Sequence, residues 1–270
     1  MMPCPFVLVT GGKGGVGKST VAANLGVELA RSKHDALLVD LDLGLANLDV
    51  LLDLPKQNDV EDFLFGRKEL EDCVIRGPGG VAVLPAGSGT VAMGMPDEKR
   101  SLRLLSAVAR LAAGYELVIG DSAAGIGGDV LAFAARADRV IVVTTPEPAA
   151  LTDAYGVIKA LDSYAQGAQG RRGEVPTPEV FVNFAADLAE ARRVAGRLRT
   201  TAERFLARSP RFVGWLPRSR TVLASALEQK PFVLSDPGSL AARCLRSLAQ
   251  RLAGGRAGSQ SLKASECHVR

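Results

Sequence analysis

The chain has 270 residues and a mass of 28.3 kDa, with 47% hydrophobic and 23% charged residues. That balance excludes a wholly disordered chain, and the length supports one large domain or two small ones whose core needs no disulfides. The net charge of +4 is concentrated at one end: residues 239–270 carry +5 (Arg243, Arg246, Arg251, Arg256, Lys263 and Arg270 against Glu266) and the remainder −1, which suits contact with anionic lipid or nucleic acid, or a solvated tail.

No apolar run approaches the roughly 18 residues of a membrane-spanning helix. The opening Met1-Met2-Pro3-Cys4-Pro5 carries no basic stretch of the kind that begins a signal peptide. The cysteines, Cys4, Cys73, Cys244 and Cys267, are too far apart in sequence for a CxxC site. They read as reduced structural thiols of a cytoplasmic protein. Two histidines, His34 and His268, make a histidine-based metal site improbable.

Strand and helix patterns alternate along the chain. Phe6-Val7-Leu8-Val9 is an apolar strand running into a glycine-rich turn. A helix follows over 18–32, with Val21, Leu25 and Leu29 on one face. Ala36–Val39 is a second buried strand, ending at Asp40, and Val81–Leu84 a third, ended by Pro85. A helix is predicted over 97–113, then strands Leu117–Ile119 running into Asp121 and Val140–Val143 running into Thr144-Thr145-Pro146. A helix over 149–164 precedes a polar loop, Gln166–Pro178, and the strand Val180–Val182, which ends at Asn183. An arginine-rich helix over 187–208 leads to the strand Phe212–Trp215. Leu240, Cys244, Leu245, Leu248 and Leu252 form an apolar stripe expected to pack on the domain as a final core helix. Short, continuously apolar strands between helices point to an α/β fold: a mostly parallel, doubly wound sheet of about seven or eight strands with helices on both faces. The predicted organisation is one domain over residues 1–253 and a flexible basic tail over 254–270, where Leu262 and Val269 are the large apolar groups.

Gly12-Lys13-Gly14-Gly15-Val16-Gly17-Lys18-Ser19 fits G-x-x-x-x-G-K-[ST], between a predicted strand and a predicted helix. Glycines let several backbone N–H groups converge on one phosphate, and the helix N-terminus adds positive potential. Lys18 reaches the β/γ-phosphates, and the Ser19 hydroxyl is a Mg2+ ligand. Carboxylates close two of the strands, Asp40 and Asp42 on one and Asp121 on another. Ligands of open α/β sheets bind beyond such strand ends. If its strand persists that far, alternation aims Asp40 and Asp42 to one side with Leu41 opposite.

The lysine inside the loop adds specificity. With Lys13 in place the loop resembles the deviant Walker A motif of the MinD/ParA family of ATPases. The resemblance implies a P-loop NTPase of the SIMIBI, MinD-like type that takes ATP and Mg2+, has weak ATPase activity and forms a homodimer when ATP-bound. It also implies that Lys13 reaches across the dimer to the second subunit's nucleotide. Gly12, Gly14, Gly15, Val16, Gly17, Lys18, Ser19 and Thr20 would cradle the phosphates. Asp42 would position the attacking water and Asp40 support the same site. Ser19, Asp121 and Asp40 would hold the metal shell. Asn183 would meet the adenine edge, and Pro217 would pack against the base. Ser122-Ala123-Ala124-Gly125-Ile126 looks like the family's switch II, with Ala123 where the flagellar branch usually has Gly and the cell-division branch Pro.

Asp42–Leu52, Gly77–Gly80, Leu84–Gly89, Thr145–Tyr155 and Lys230–Leu234 are similar to the FlhG branch (also FleN or YlxH), which regulates flagellar number. The resemblance spans about residues 6–253 and implies a flagellar partner: an FlhF-like GTPase, a switch-complex protein or a transcriptional regulator. The Asp-Gln-Ala stretch with which FlhG proteins stimulate FlhF is absent from the five residues before the first strand. The branch also ends in an amphipathic membrane-targeting helix, so peripheral contact with an anionic membrane or a cell pole belongs to the same reading. Its rivals are a ParA-type partition ATPase that binds DNA non-specifically and a MinD-type regulator of the division site. The partition reading draws on Arg192, Arg193, Arg197, Arg199, Arg204, Arg208, Arg211, Arg218 and Arg220, set against Asp187, Glu190 and Glu203.

Overall fold

The computed structural model describes residues 2–44, 46–87, 98–167, 175–206 and 208–254. The tail beyond Gly254, with Leu262 and Val269, lies outside them, as do part of the polar loop (168–174) and Ser88-Gly89. The strands are β1 (Phe6–Gly11), β2 (Ala36–Leu41), β3 (Ile75–Arg76), β4 (Ala82–Leu84), β5 (Leu117–Ala124), β6 (Arg139–Thr144), β7 (Glu179–Ala185) and β8 (Arg211–Pro217). The helices are α1 (Lys18–Arg31), α2 (Leu48–Leu51), α3 (Val60–Leu64), α4 (Glu98–Leu111), α5 (Gly128–Ala134), α6 (Pro148–Gln166), α7 (Leu188–Phe205), α8 (Arg220–Leu227), α9 (Phe232–Ser235) and α10 (Leu240–Ala253).

One eight-stranded sheet runs in the order β3-β4-β2-β5-β1-β6-β7-β8. Every pairing is parallel except the two-residue β3 against β4. Alternation along each inner strand feeds two cores. Phe6 and Leu8 of β1, with Leu37 and Val39 of β2, face one side, where α4, α5, α6 and α7 add Leu104, Phe133, Ile158 and Leu198. Val7, Val9 and Leu38 face the other, against Leu25 and Leu29 of α1 and Leu245 and Leu248 of α10. This is the doubly wound α/β architecture expected from the strand pattern.

The boundaries moved where side chains intervene. β2 stops at Leu41 rather than reaching Asp42, because Asp40 Oδ1 accepts the Asp42 N–H (3.0 Å) and Asp42 Oδ1 accepts the Gly44 N–H (3.3 Å). Two successive Asx-type turns pull the chain out of the ladder. β5 instead continues past Asp121 to Ala124, so Ala123 occupies extended backbone that needs neither Gly nor Pro. Helix α7 starts on a cap, with Asp187 Oδ1 accepting the Glu190 N–H at 2.7 Å.

The apolar stripe of α10 is spent in the core: Leu245 and Leu248 are fully buried and Leu252 nearly so. Its seat on α1 is fixed by Glu28, a fully buried carboxylate gripped by Arg31 from its own helix and by Arg246 from α10 (2.8 Å). Among the described residues no helix is long and apolar enough to cross a membrane. Leu248→Ala should destabilise the fold by about 2–5 kcal/mol, as a core truncation that leaves a cavity. Urea unfolding followed by circular dichroism measures it. An unchanged midpoint would mean that α10 is a detachable segment.

Candidate functional site

The site lies at the carboxyl ends of β2, β5 and β1, three neighbours in the sheet. β1 ends at Gly11 and the chain curls through Gly12–Gly17 into α1. Steric limits set two of the glycines. A Cβ on Gly12 would stand 2.2 Å from the Asp153 carbonyl oxygen of α6. Gly17 caps α1 at φ 91, and a Cβ there would stand 2.2 Å from Nδ2 of Asn183. Gly14, Gly15 and Lys13 face solvent, Val16 is buried, and Ser19 and Thr20 are half-buried on the first turn of α1. The Gly125 N–H donates to the Gly11 carbonyl (2.9 Å), which ties the end of β5 to the root of the loop.

Lys18 is buried below the loop at 8% exposure. Burial lowers its pKa, and the Asp121 and Asp42 carboxylates oppose that shift. Asp40 and Asp121 stand in register across β2 and β5, and both are essentially without solvent exposure. Burial pushes Asp40 up to about 7, against the three backbone N–H groups that hold it. Burial, then the neighbouring Asp40, pushes Asp121 well above the usual carboxylate range.

The two acids are used differently. Asp40 is a brace: Oδ1 accepts from the Asp42 N–H, and Oδ2 from those of Asn47 (3.1 Å) and Leu48 (3.2 Å). It thereby holds the loop that carries Asp42 beside the phosphate loop. Asp121 accepts a hydrogen bond from the Ser19 side chain, while its Oδ1 is buried with no partner. The hydroxyls of Thr10 and Thr145 are likewise buried and unpartnered at the ends of β1 and β6. An orphaned carboxylate oxygen beside a serine hydroxyl is a hard oxygen pair that fits Mg2+. Among the described residues no group of three acidic, His or Cys side chains could hold a metal ion. An ion here would therefore draw its other oxygens from nucleotide and water. Asp121 and Ser19 are the pair placed to hold it, and what it supplies when bound is neutralisation of phosphate charge.

Asn183 and Pro217 lie on the other side of the loop, on adjacent strands β7 and β8. Asn183 Nδ2 donates to the Val16 carbonyl (2.9 Å), and its Oδ1 accepts the Phe184 N–H (2.9 Å). One N–H of the amide therefore braces the phosphate loop. Phe184 holds φ 56, a left-handed conformation rare for a bulky residue. Pro217 is buried where β8 ends, beside Ala185.

The sequence pattern of the CobQ/CobB/MinD/ParA nucleotide binding domain matches residues 7–232. The chain belongs to this MinD/ParA family. It is 35% identical over 252 residues to the antiactivator FleN of Pseudomonas aeruginosa, covering 93% of this chain and 87% of that protein. It is 34% identical over 154 residues to the flagellum site-determining protein YlxH of Helicobacter pylori, covering 57% of this chain and 52% of that one. Among solved structures, the MinD cell division protein of Aquifex aeolicus superposes with a TM-score of 0.73 at 25% identity, covering 97% of this chain and 100% of that one. That MinD is also known in complex with MinC, with the same TM-score. As a MinD/ParA protein the chain is a nucleotide-binding ATPase.

Sequence reasoning missed the threonines at the ends of β1 and β6, and the backbone N–H groups that lock onto Asp40. The placement of Asp153 behind Gly12 also needs the fold.

The acid pair makes a testable trade between stability and binding. Both carboxyls have raised folded-state pKa values, so protonation favours the fold, and that contribution fades as pH rises above the ordinary carboxylate range, for Asp40 through about 7. Asp121→Asn removes one like charge. It should raise the thermal midpoint of the nucleotide-free protein, more at pH 8 than at pH 5, while abolishing the stabilisation that Mg2+ adds to ATP. Scanning fluorimetry at both pH values measures this, and a gain as large at pH 5 would contradict it.

Proposed function

We propose that this protein is an ATP-dependent dimerisation switch, with weak Mg2+-dependent hydrolysis, that regulates flagellar number or placement. The observation that carries the reading is the pair of lysines in one phosphate loop. Lys18 is buried toward Asp121 and Asp42, whereas Lys13 is half exposed on the outer side of the loop. One lysine thus serves the subunit's own phosphates, and the other stands where a second subunit would meet it. Full-length similarity to an antiactivator, and partial similarity to a flagellum site-determining protein, support the flagellar role.

In this reading two ATP-bound protomers meet over their phosphate loops. Lys18 grips the β/γ-phosphates, and backbone N–H groups of Gly14–Thr20 surround them. Asp42, held by the Asp40 brace, orients the attacking water. Asn183 spends its free N–H on the adenine, and Pro217 packs beside it. Hydrolysis separates the protomers. A flagellar protein that reads the dimer, such as an FlhF-like GTPase, a switch-complex protein or a transcriptional regulator, completes the role.

Asp42→Ala should keep ATP affinity, slow hydrolysis at least tenfold, the scale set by losing a positioned group, and trap a dimer. Lys18→Ala should lose nucleotide binding outright. Light scattering with ATP and Mg2+ checks the first and calorimetry the second. An Asp42→Ala protein that stays monomeric at tens of micromolar would sink the switch.

We propose further that the protein acts in the cytoplasm, with peripheral contact to an anionic membrane. Because α10 is committed to the core, the contact falls to the basic residues after it, Arg256, Lys263 and Arg270. Each basic group near an anionic leaflet contributes about 1 kcal/mol. Two tails in a dimer therefore hold where one does not. Co-sedimentation with phosphatidylserine vesicles should need ATP, weaken with salt and vanish when residues 255–270 are deleted. Retention by the truncated protein would move the contact elsewhere. The partition reading keeps one observation in its favour, since Arg192, Arg193, Arg197, Arg199 and Arg204 of α7 are all exposed. Salt-titrated binding to non-specific duplex DNA tests it.

A further inference from the structure

A cavity of about 530 Å3 opens between the end of α2, the turn after β3 and the segment that joins α8 to α9. Its size falls within the roughly 300–1,000 Å3 of small-molecule sites. None of its lining residues comes from the phosphate loop or from the strands that carry Asp40 and Asp121. Leu54, Pro55, Pro78, Pro231 and Leu234 give it an apolar wall.

The wall is preformed. Among the described residues four that are not glycine have left-handed backbone, and two of them, Asp53 (φ 47) and Gln229 (φ 54), line this cavity. Each follows a helix whose end is closed by a backbone bond. The Leu54 N–H donates to the Asp49 carbonyl (2.9 Å), and the Lys230 N–H to the Ser225 carbonyl (3.0 Å). The Gln229 side chain then ties the two helix ends together through the Val50 carbonyl. Behind them the turn after β3 packs directly on the wall, since a Cβ on Gly77 would stand 3.2 Å from a Leu54 methyl group.

Two cations share this apolar setting. Arg76 is exposed, and its Nη1 donates to the Gly80 carbonyl (3.2 Å), which holds a guanidinium with five N–H donors at the rim. Lys230 is exposed and precedes Pro231, whose ring biases the lysine backbone to the extended region. Among the described residues neither cation has an ion-pair partner. Asp53 lines the cavity too and pairs with neither of them.

We propose that this cavity binds a small organic anion with an apolar body, its head group on Arg76 and Lys230 and its body against Leu54, Pro231 and Leu234. A neutral apolar guest leaves both cations without a counter-charge. A bare anion leaves the leucine and proline wall in water. A molecule with both parts satisfies the two surfaces together, and a planar oxyanion suits the fork of a guanidinium. The site needs neither nucleotide nor a second subunit.

The test is equilibrium dialysis of the full chain, without nucleotide and at low salt, against radiolabelled octanoate. Octanoate should saturate at one molecule per chain. Octanol keeps the body and loses the charge, and it should bind at least threefold more weakly. Acetate keeps the charge and loses the body, and it should not bind at millimolar concentration. Arg76→Gln and Lys230→Gln should each weaken octanoate about two- to fivefold, the range open to an exposed charge pair. The double variant should lose more than either. Leu234→Trp, at a position 38% exposed, fills the cavity and should abolish binding with the circular dichroism of the native chain. Octyl phosphate in a second arm identifies the head group: tighter binding than octanoate assigns a phosphate and weaker binding a carboxylate, both within the proposed class. Uptake that never saturates, equal affinity for octanol, or full octanoate affinity in the double variant overturns the site, as does failure of both anions to bind.

Discussion

Asp40 and Asp121 stand side by side on β2 and β5, and Lys18 is the buried cation that offsets them. Two buried carboxylates with one lysine are short of positive charge. The deficit explains why burial raises both acids and why one Asp121 oxygen is left without a partner. A strand pattern chosen for stability would put apolar groups at those two positions, as it does at Leu38, Val39, Val118 and Ile119 just below. The sheet bears the cost because the same unsatisfied oxygen is what a hard cation needs. Binding a ligand that brings the cation stabilises the folded state by mass action.

The other constraint is steric. The phosphate loop touches β6, α6 and β7 through positions where a single methyl group would collide: Gly11 with Val143, Gly12 with Asp153 and Gly17 with Asn183. The loop can curl tightly because three neighbouring elements hold it from behind. Asn183 shows how economical this is, since one amide braces the Val16 carbonyl and receives the Phe184 N–H. The left-handed Phe184 beside it is the local strain that goes with that arrangement.

Much of this was legible in the residues. The inner strands announced themselves as continuous apolar runs, because a strand covered on both faces has no polar side to show. Lys18 and Ser19 stood out because a phosphate loop restricts which residues fit, and Lys13 because it gives the loop its likeness to the MinD/ParA family. What could not be read is what side chains do to backbone. Nothing in Val-Asp-Leu-Asp-Leu-Gly says that Asp40 will take three N–H groups and end β2 at Leu41. β3 is a two-residue strand at the sheet edge, too short for any periodicity to reveal. The apolar stripe of α10 pointed to a core helix, but nothing in the sequence said which element it would pack on. Glu28 of α1, buried and met by Arg246 across 218 positions of sequence, is what seats it there.

The two sides of the nucleotide cradle are joined at a place distant from both. On the phosphate side, Asp40 Oδ2 holds the N–H of Leu48, the first residue of α2. On the base side, β8 ends at Pro217 and α8 begins at Arg220, leading to Gln229, which takes φ 54 after α8. Gln229 Nε2 then donates to the carbonyl of Val50 in α2 (2.9 Å). A short helix thus hangs from the phosphate-side brace at one end and from the base-side connection at the other. The loop that carries Asp42 and the segment after α8 are thus linked through α2 by one carboxylate and one amide side chain. The outer faces of these elements carry Val50, Leu223 and Leu227, apolar side chains more than half exposed. Contiguity of this kind transmits a signal when one of its elements has two arrangements. Asp40, which anchors the start of α2, is also the carboxylate that burial pushes up to about 7.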